Sequence, residues 1–274
     1  MKVSIITVNR NNAAGLERTI SSVVSQTSKD FEYIVIDGNS SDDSVDKITP
    51  QESHIAFWVS EPDTGIYNAM NKGIKKATGD YCLFLNSGDW LVDNDTIAKA
   101  LERMNEDADV YYGRRINYYG ENDISMDTSK HSEITPLAFL DHTPSHQCSF
   151  IRTQLLRDAG MYRENFRINS DWFFFLDVLV NKGAVYKYFD IYVSYYDMHG
   201  TSSQDSTEIL RKKEREAGID DIFGINASLA HEVLRYHESE YFEITNRWGE
   251  TRFLITMLKV YKFLARRLKF LQKV

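Results

Sequence analysis

The 274-residue chain has few cysteines and prolines and no long apolar run, and each shortage excludes a class of protein. Its two cysteines, Cys82 and Cys148, lie far apart in apolar stretches, so we expect reduced, packed thiols rather than a disulfide or a metal pair. Only four prolines and no low-complexity tract occur, which favours one large domain, or one domain with an appendage. No apolar segment could span a bilayer, and the start MKVSIITVN has no cleavage signature, so we expect a cytoplasmic protein.

Several common catalytic signatures are also missing. No G-x-G-x-x-G follows a predicted strand and no G-x-x-x-x-G-K-[ST] occurs, which argues against dinucleotide-binding and P-loop proteins. The sequence contains no H-E-x-x-H, no C-x-x-C and no G-x-S-x-G nucleophile elbow. The sequence therefore gives no sign of zinc-protease, paired-cysteine or serine-nucleophile chemistry.

The N-terminal part of the chain alternates apolar strands with helices. We predict strands at 3–8, 31–37, 54–60 and 81–85. Helices are predicted at 14–27, 43–49 and 66–77. Continuous apolar strands separated by helices predict an α/β fold, with a mixed, mainly parallel sheet and helices on both faces.

Polar clusters follow the four predicted strands, at 9–12, 37–43, 61–65 and 86–89. The residues are typical turn formers, so each cluster taken alone could be a turn. Because the carboxyl ends of parallel strands share one edge, we expect the clusters to meet there and to form a ligand site. Further strands and helices follow, and after residue 206 the pattern is helical to the end.

Six stretches, in order, carry a resemblance to a known family. They are SIITVNRN with SVVSQT, FEYIVIDGNSSDDS, EPDTGIYNAMNKGIKKATGDYCLFLNSGDWL, HQCSFIRTQLLRDAGMY, INSDWFFFLDVLVNKG and YYDMHGTSS. Together they resemble the glycosyltransferase family 2 enzymes of the bacterial polysaccharide and cell-surface glycan type. The resemblance implies a Rossmann-like GT-A domain over residues 1–205 and a helical C-terminal extension over 206–274.

The resemblance implies that a UDP-sugar donor binds at the sheet edge. In the family a carboxylate at the position of Asp37 accepts a hydrogen bond from the nucleobase, although Asp37 could also cap the next segment. The other residues implied to contact the donor nucleotide are Thr7, Asn9, Asp63, Lys72 and Asn86. Lys72 could equally be solvated on its helix.

A divalent cation, Mn²⁺ or Mg²⁺, is implied beside the diphosphate, where it stabilises the charge that grows on the leaving phosphate. The resemblance assigns Asp89 and His199 as its ligands. Gly88 departs from the family pattern, because an acid usually stands there. Asp89 shaping a turn, and His199 lying in a solvated loop, are the structural alternatives.

Asp171 falls where the family holds the general base of an inverting single displacement. Asp171 at a helix start could also act as a cap. His146 and Gln147 are candidates for contact with the donor sugar or the acceptor, with a role at the start of a strand as the alternative. Trp172 is a candidate for excluding water and stacking on a sugar.

The charge of the chain is unevenly distributed. The net charge is −8, but residues 251–274 carry +7, which leaves −15 on the remainder. An acidic body argues against nucleic acid as a partner. The basic, amphipathic tail predicts peripheral contact with an anionic membrane, and packing on a second subunit of a homo-oligomer is the alternative.

The family resemblance implies an inverting, metal-dependent glycosyltransferase that moves a hexose or N-acetylhexosamine from a UDP-sugar to a glycan or lipid-linked acceptor. A nucleotide-sugar-binding or assembly subunit without activity stays open because of Gly88. A nucleotidyltransferase is a further alternative, but TVNRNNAAG is a poor glycine-rich phosphate loop.

Overall fold

A computed structural model describes residues 1–121, 123–126, 134–199, 207–225 and 228–231 of the chain. Within these ranges the strands are β1 (Val3–Asn9), β2 (Phe31–Asp37), β3 (Phe57–Ser60), β4 (Tyr81–Phe84), β5 (Trp90–Leu91), β6 (Val110–Gly120), β7 (Asp123–Met126), β8 (Ser149–Arg152) and β9 (Tyr186–Asp197). The α-helices are α1 (Ala13–Val24), α2 (Ser44–Ile48), α3 (Ile66–Lys76), α4 (Thr96–Arg103), α5 (Pro136–Asp141), α6 (Thr153–Asp158), α7 (Ser170–Asp177) and α8 (Glu208–Phe223). Short 3₁₀ helices lie at Thr49–His54 and His146–Cys148, and one wider helical turn, Val178–Lys182, continues α7.

The described strands form one mixed sheet in the order β3-β2-β1-β4-β8-β6-β9-β5, with β7 paired to β6. The first four strands are all parallel to their neighbours. Beyond β4, the pairs are antiparallel except for β6 with β9. The predicted mixed α/β sheet is confirmed, and its parallel part is concentrated in the N-terminal half.

Both faces of the sheet are covered by helices. Ile6 and Val8 of β1 belong to a hydrophobic layer shared with α3, α6, α7 and α8. Val3 and Ile5, which alternate with them, belong to a second layer shared with α1, α2 and α4. Burial on two faces explains why these strands read as continuous apolar runs and not as alternating ones.

Some element boundaries differ from the sequence-based prediction. The third strand begins at Phe57 and not at His54, because His54 ends a 3₁₀ helix and residues 55–56 connect that helix to the strand. A second 3₁₀ helix, His146–Cys148, likewise precedes β8, which begins at Ser149. Cys82 and Cys148 are both buried, which confirms the prediction of packed thiols.

The first helix of the C-terminal extension packs on the sheet domain. The apolar side chains of α8 lie in the same hydrophobic layer as those of α7. The buried carboxylate of Glu214 accepts hydrogen bonds from the backbone N–H groups of Arg167 (2.5 Å), Ile168 (3.1 Å) and Asn169 (2.9 Å). This helix therefore fixes the backbone immediately before α7.

The basic tail, 251–274, lies outside the described residues. The domain boundary at 205/206 stays a prediction. In the ranges that the structure describes, no helix is long and apolar enough to cross a membrane.

Candidate active site

The carboxyl ends of β1, β2, β3 and β4 form one edge of the sheet. Asn9 pairs in register with Asp37, and Asp37 pairs with Ser60. The loop after β4 continues along the end of β1, because the N–H of Ser87 donates to the carbonyl of Val8 (3.0 Å). The predicted meeting of the polar clusters at one edge is confirmed.

Asp37 is fully buried at this edge, and its carboxylate is occupied by protein donors. Oδ1 accepts from Nδ2 of Asn9 (2.7 Å) and the hydroxyl of Ser40 (2.6 Å), and Oδ2 accepts from the N–H of Ser40 (2.9 Å) and the hydroxyl of Ser60 (2.6 Å). Burial would raise the pKa of Asp37, but these hydrogen bonds outweigh it and hold the pKa below its ordinary value. Because a carboxylate has about four acceptor sites, a nucleobase can bond Asp37 only if one of these donors turns away.

Asn9 offers an acceptor beside Asp37. Its side chain is buried, and its Oδ1 has no hydrogen-bond partner among the described residues. Buried polar atoms without partners are rare in native proteins. Thr7, by contrast, is saturated inside the sheet: its hydroxyl donates to the carbonyl of Leu85 (2.8 Å) and accepts from the hydroxyl of Tyr33 (3.0 Å). Its side chain therefore supports the strand edge, so the predicted nucleotide contact of Thr7 would be made through its backbone.

Asp63 lies against the backbone of Gly38, the residue after Asp37. Its Oδ1 accepts from the N–H of Gly65 (3.0 Å) and lies 3.7 Å from Nη1 of Arg10. A β-carbon at Gly38 would overlap Oδ2 of Asp63. The close approach brings the carboxylate of Asp63 to the edge, near Asp37, as the sequence-based prediction requires.

Lys72 anchors the loop that carries Asp63. Its Nζ donates to the carbonyl of Pro62 (2.9 Å) and lies 2.8 Å from Oε1 of Glu61. In this structure the amine of Lys72 therefore binds the loop 61–65 of the protein itself. It would act on the predicted nucleotide site by positioning Asp63.

We expect Gly38→Ala to lower the free energy of unfolding by about 1–3 kcal/mol, the usual cost of overpacking. The added methyl group must displace the carboxylate of Asp63 from Gly65. Urea unfolding measures the loss. The double variant Gly38→Ala/Asp63→Ala should regain most of it, whereas equal instability of the two variants would contradict this packing.

The loop 86–89 is fixed on α1. The hydroxyl of Thr19 donates to the carbonyl of Asp89 (2.7 Å) and accepts from the N–H of Gly88 (3.1 Å). Nδ2 of Asn12 donates to the carbonyl of Ser87 (3.1 Å). Gly88 has φ +107°, a conformation that residues with a β-carbon rarely adopt. The backbone of this loop therefore favours glycine at the position where the family usually has an acid.

The carboxylate of Asp197 lies beside Gly88. Oδ2 of Asp197 is 3.4 Å from the point where a β-carbon at Gly88 would lie. The backbone N–H of Asp197 donates to Oδ1 of Asp89 (3.0 Å). His199 is largely exposed, with its Nδ1 2.9 Å from Oδ1 of Asp197. The structure thus links His199 to Asp89 through Asp197, an acid that the sequence reasoning had not assigned.

Asp89 is only 5% exposed, and its burial raises its pKa to about 7. A cation bound at this carboxylate would reverse that effect, since it stabilises the ionised form. Carboxylate oxygens with a nearby imidazole suit Mn²⁺ and Mg²⁺. Across the ranges that the structure describes, however, no three His, Cys, Asp or Glu side chains converge to hold a metal ion. These residues fit a cation only when a ligand such as a diphosphate supplies further oxygens.

A second chain of polar contacts runs from the loop after β4 to α7. His146 lies in the middle, with Nε2 3.2 Å from Nδ2 of Asn86 and Nδ1 2.9 Å from Oδ2 of Asp171. Oδ1 of Asp171 accepts from the hydroxyl of Tyr67 (2.9 Å). Burial would raise the pKa of Asp171, but the hydrogen bond and charge of His146, with the Tyr67 hydroxyl, hold the pKa below its ordinary value.

Asp171 does not cap its helix. Asn169 occupies the N-cap position of α7, and Asp171 lies in the first turn, where a negative charge interacts favourably with the helix dipole. The side chain of Asp171 is bonded to His146 and Tyr67.

Two residues predicted to contact sugar are buried. The indole N–H of Trp172 donates to the carbonyl of Phe139 (2.8 Å), and the ring is only 3% exposed, with the guanidinium of Arg215 5.1 Å from its centroid. Contrary to the prediction, Trp172 is a core residue in this structure and its face is not available to a sugar. Gln147 is 2% exposed in the 3₁₀ helix next to His146, so it faces the interior.

Sequence reasoning missed Asp197 and Tyr67. Asp197 stands two residues before His199 in YYDMHGTSS, so its type and spacing were a usable signal. Tyr67 is 104 residues from Asp171, and nothing in the sequence indicates that they meet.

Comparisons with known proteins agree with this geometry. The family model described as "Glycosyl transferase family 2" matches residues 4–178. An uncharacterized glycosyltransferase of Mycobacterium tuberculosis is 37% identical over 177 residues, which are 64% of this chain and 67% of that protein. A glycosyltransferase of Mycobacterium bovis described as acting in PGL/p-HBAD biosynthesis is 30% identical over 206 residues, 72% of this chain and 77% of its own.

Solved structures share the fold at low sequence identity. Staphylococcus aureus TarS 1–349 in complex with UDP-GlcNAc has a TM-score of 0.66 at 19% identity, over 91% of this chain and 75% of that 1–349 chain. The mannosyltransferase PcManGT of Pyrobaculum calidifontis, in complex with GDP-Man and Mn²⁺, has a TM-score of 0.62 at 14% identity, over 99% of this chain and 79% of its own. The family match, the relatives and the shared GT-A fold together show that this chain is a member of glycosyltransferase family 2.

Proposed function

We propose that this glycosyltransferase moves a hexose or N-acetylhexosamine from a UDP-sugar to a glycan or lipid-linked acceptor, with inversion at the anomeric carbon. The observation that carries the proposal is the arrangement at one sheet edge. A buried acceptor pair, Asn9 and Asp37, lies at one end, and the buried acid Asp89 and the His146–Asp171 pair lie at the other. A site that transfers sugar from a nucleotide donor needs three functions: recognition of the base, neutralisation of the diphosphate and removal of the acceptor proton.

The nucleobase suits the end at Asn9. The unpartnered Oδ1 of Asn9 matches an N–H donor such as N3–H of uracil, and rotation of Ser40 would free Asp37 for the same contact. Asp63, held over Gly38 by the anchored loop, supplies a further acceptor for the base or ribose. UDP is favoured on this chemistry, and the TarS structure with UDP-GlcNAc is consistent with it.

The diphosphate suits the other end. Mn²⁺ or Mg²⁺ held by Asp89 and Asp197, with His199 adjoining, would neutralise the charge of the leaving nucleoside diphosphate. The carboxylate of Asp197, 3.4 Å from where a β-carbon at Gly88 would lie, would take the place of the missing acid beside Asp89. Asn86 lies between this cluster and His146, where it can orient the ribose or sugar.

The reaction forms a bond between the acceptor oxygen and the anomeric carbon and breaks the bond to the phosphate oxygen, which leaves with the electron pair. The proton of the attacking hydroxyl is taken at the pair built on Asp171. Because attack and departure occur on opposite sides of the carbon, a single displacement inverts its configuration.

Calorimetry and UDP-release assays with a panel of nucleotide sugars test the function. We expect binding and turnover of at least one UDP-sugar in the presence of Mn²⁺, and weaker effects with GDP-mannose. Binding without turnover for every donor and added acceptor would instead indicate a nucleotide-sugar-binding or assembly subunit.

The tail 251–274 provides a separate proposal: peripheral attachment to the inner face of an anionic membrane, where a lipid-linked acceptor would lie. Deleting residues 251–274 should release the protein from liposomes that contain an anionic lipid. If the intact protein does not bind such liposomes, the homo-oligomer interface becomes the favoured role, and light scattering of the two forms would reveal it.

A further inference from the structure

We propose that Glu214 of α8 is a positioning residue for the transfer: its buried carboxylate holds the backbone at 167–169 and so places Asp171 to take the acceptor proton. The inference rests on the proposed transferase function, and it gives a helix beyond the predicted domain boundary a role in turnover. Glu214 acts through Asp171 and not on the substrate, because its carboxylate is enclosed among backbone N–H groups.

The carboxylate of Glu214 binds three consecutive backbone N–H groups. Oε1 accepts from Arg167 (2.5 Å), and Oε2 accepts from Ile168 (3.1 Å) and Asn169 (2.9 Å). Hydrogen bonds to a charged acceptor are stronger than those between neutral groups, and a buried N–H without a partner is costly. Nδ2 of Asn169 also donates to the carbonyl of Arg211, about one turn before Glu214 on α8 (2.8 Å). The N-cap residue of α7 is therefore tied to α8 through both its backbone and its side chain.

A single hydroxyl group connects this backbone to the acid of the catalytic pair. The hydroxyl of Tyr67 lies 2.5 Å from the carbonyl oxygen of Ile168 and 2.9 Å from Oδ1 of Asp171. Ile168 is thus held at its N–H by Glu214 and at its carbonyl by Tyr67. Because Asp171 lies in the first turn of α7, directly after this backbone, a shift of the backbone would move its carboxylate relative to both Tyr67 and His146.

Close packing of α8 on α7 fixes the position of Glu214. A β-carbon at Gly218, about one turn further along α8, would lie 2.9 Å from Cζ3 of Trp172 and 3.0 Å from Cδ2 of Phe173. Glycine permits this close approach because it has no side chain. Trp172 and Phe173 directly follow Asp171, so Glu214 belongs to a closely packed contact with the turn of α7 that carries the acid.

Removing the charge of Glu214 should displace the start of α7 and leave nucleotide binding intact. In Glu214→Gln one acceptor oxygen becomes an NH₂ group, which faces a backbone N–H and cannot accept from it. A displacement of about 1 Å in a catalytic group can lower the rate by about 100-fold. The proposed nucleobase contacts, Asn9 and Asp37, lie on other elements, at the ends of β1 and β2.

The test is UDP release by the full-length protein from the UDP-sugar that the wild type uses best, at saturating donor. We expect kcat of Glu214→Gln to fall by about 10- to 100-fold. Its Kd for UDP, measured by calorimetry, should change by less than about twofold. Ile97→Ala is the control for lost stability, because it removes a buried side chain from the hydrophobic layer on the other face of the sheet and should keep the wild-type kcat.

A double variant tests whether Glu214 acts through Asp171. Glu214→Gln introduced into Asp171→Asn should lower kcat by less than about twofold further, because the group that Glu214 positions is already lost. If Glu214→Gln does not fold, Asn169→Ala takes its place, since it removes only the side-chain contact with Arg211. Its kcat should fall by about three- to tenfold, the equivalent of one hydrogen bond.

The outcomes separate this inference from the function on which it rests. A wild-type protein that turns over no nucleotide sugar contradicts the function and the inference together. An active wild type with undiminished kcat in Glu214→Gln, or in Asn169→Ala where that variant is used, contradicts the inference alone. An equal fall of kcat in Ile97→Ala, or a further fall of about tenfold in the double variant, would show that Glu214 does not act by positioning Asp171.

Discussion

Replacing Asp171 by asparagine is expected to lower kcat by about three orders of magnitude, while UDP binding stays nearly unchanged. The amide keeps the shape of the side chain but removes the negative charge opposite Nδ1 of His146. It can also present an N–H to that nitrogen and so stabilise the wrong imidazole tautomer. UDP binding should persist because His146 lies between Asp171 and Asn86, the nearest predicted nucleotide contact.

Steady-state kinetics and calorimetry together measure this separation of turnover from binding. Tyr67→Phe is the matched control, because it removes one neutral hydrogen bond to Asp171 and leaves the carboxylate charged. Its loss of kcat should stay within about tenfold, the equivalent of one hydrogen bond. Wild-type turnover in Asp171→Asn would show that the His146–Asp171 pair takes no part in the chemistry.

Asp89→Asn is expected to have opposite effects on stability and on metal-dependent binding. Burial raises the pKa of Asp89 from 3.8 to about 7, so the folded state retains a proton that the unfolded chain has already lost. The free energy of unfolding of the ligand-free wild-type protein should therefore fall as the pH rises from about 4 to about 7, and it should stay lowered above pH 7. The variant avoids the cost and should be more stable at pH 8 by at most about 4 kcal/mol, with no difference near pH 4.

The same variant should lose its stabilisation by Mn²⁺ with UDP. A ligand present at about 100 times its Kd stabilises a folded protein by about 2.7 kcal/mol. Thermal unfolding at pH 8, with and without MnCl₂ and UDP, should show this shift for the wild type and not for Asp89→Asn. Asp93→Asn serves as the control, because Asp93 pairs with Lys99 (2.6 Å) away from the edge. Equal shifts in wild type and Asp89→Asn would exclude Asp89 as a metal ligand.

The parallel half of the fold could be predicted from the sequence because its physical signals are local. Continuous apolar strands, amphipathic helices and polar residues at each strand end follow from burial on two faces of a sheet. The shared edge that joins Asn9, Asp37 and Ser60 follows from parallel pairing alone. The second half, in which β8 and β6 pair antiparallel, depends on long-range pairing for which no local pattern exists.

The contacts within the site were less predictable. Asp37 and Lys72, the predicted nucleotide contacts, lie at the sheet edge, but their hydrogen bonds to Ser40, Ser60, Glu61 and Pro62 depend on loop geometry. Trp172 was predicted to stack on a sugar, yet its indole N–H donates to the carbonyl of Phe139 in the core. The His146–Asp171 contact spans 25 residues and arises only when β8 brings the 3₁₀ helix beside α7.

Gly88 shows how a departure from a family pattern can have a structural reason. Its φ of +107° disfavours any residue with a side chain, and Asp197 from β9 lies next to the space that such a side chain would enter. The family's acid is absent at position 88, and the carboxylate of Asp197, at the end of β9, lies close to that position. If this chain binds the proposed cation, we expect that binding to depend on Asp197 as well as on Asp89.

The most direct test of the proposed donor site is anomalous diffraction from a crystal of this protein soaked with UDP and Mn²⁺. We expect one manganese peak within coordination distance of the Asp89 carboxylate and of both phosphates of UDP, with the uracil beside Asn9. A manganese peak elsewhere, or UDP bound away from the ends of β1, β2 and β4, would contradict the site and the mechanism built on it.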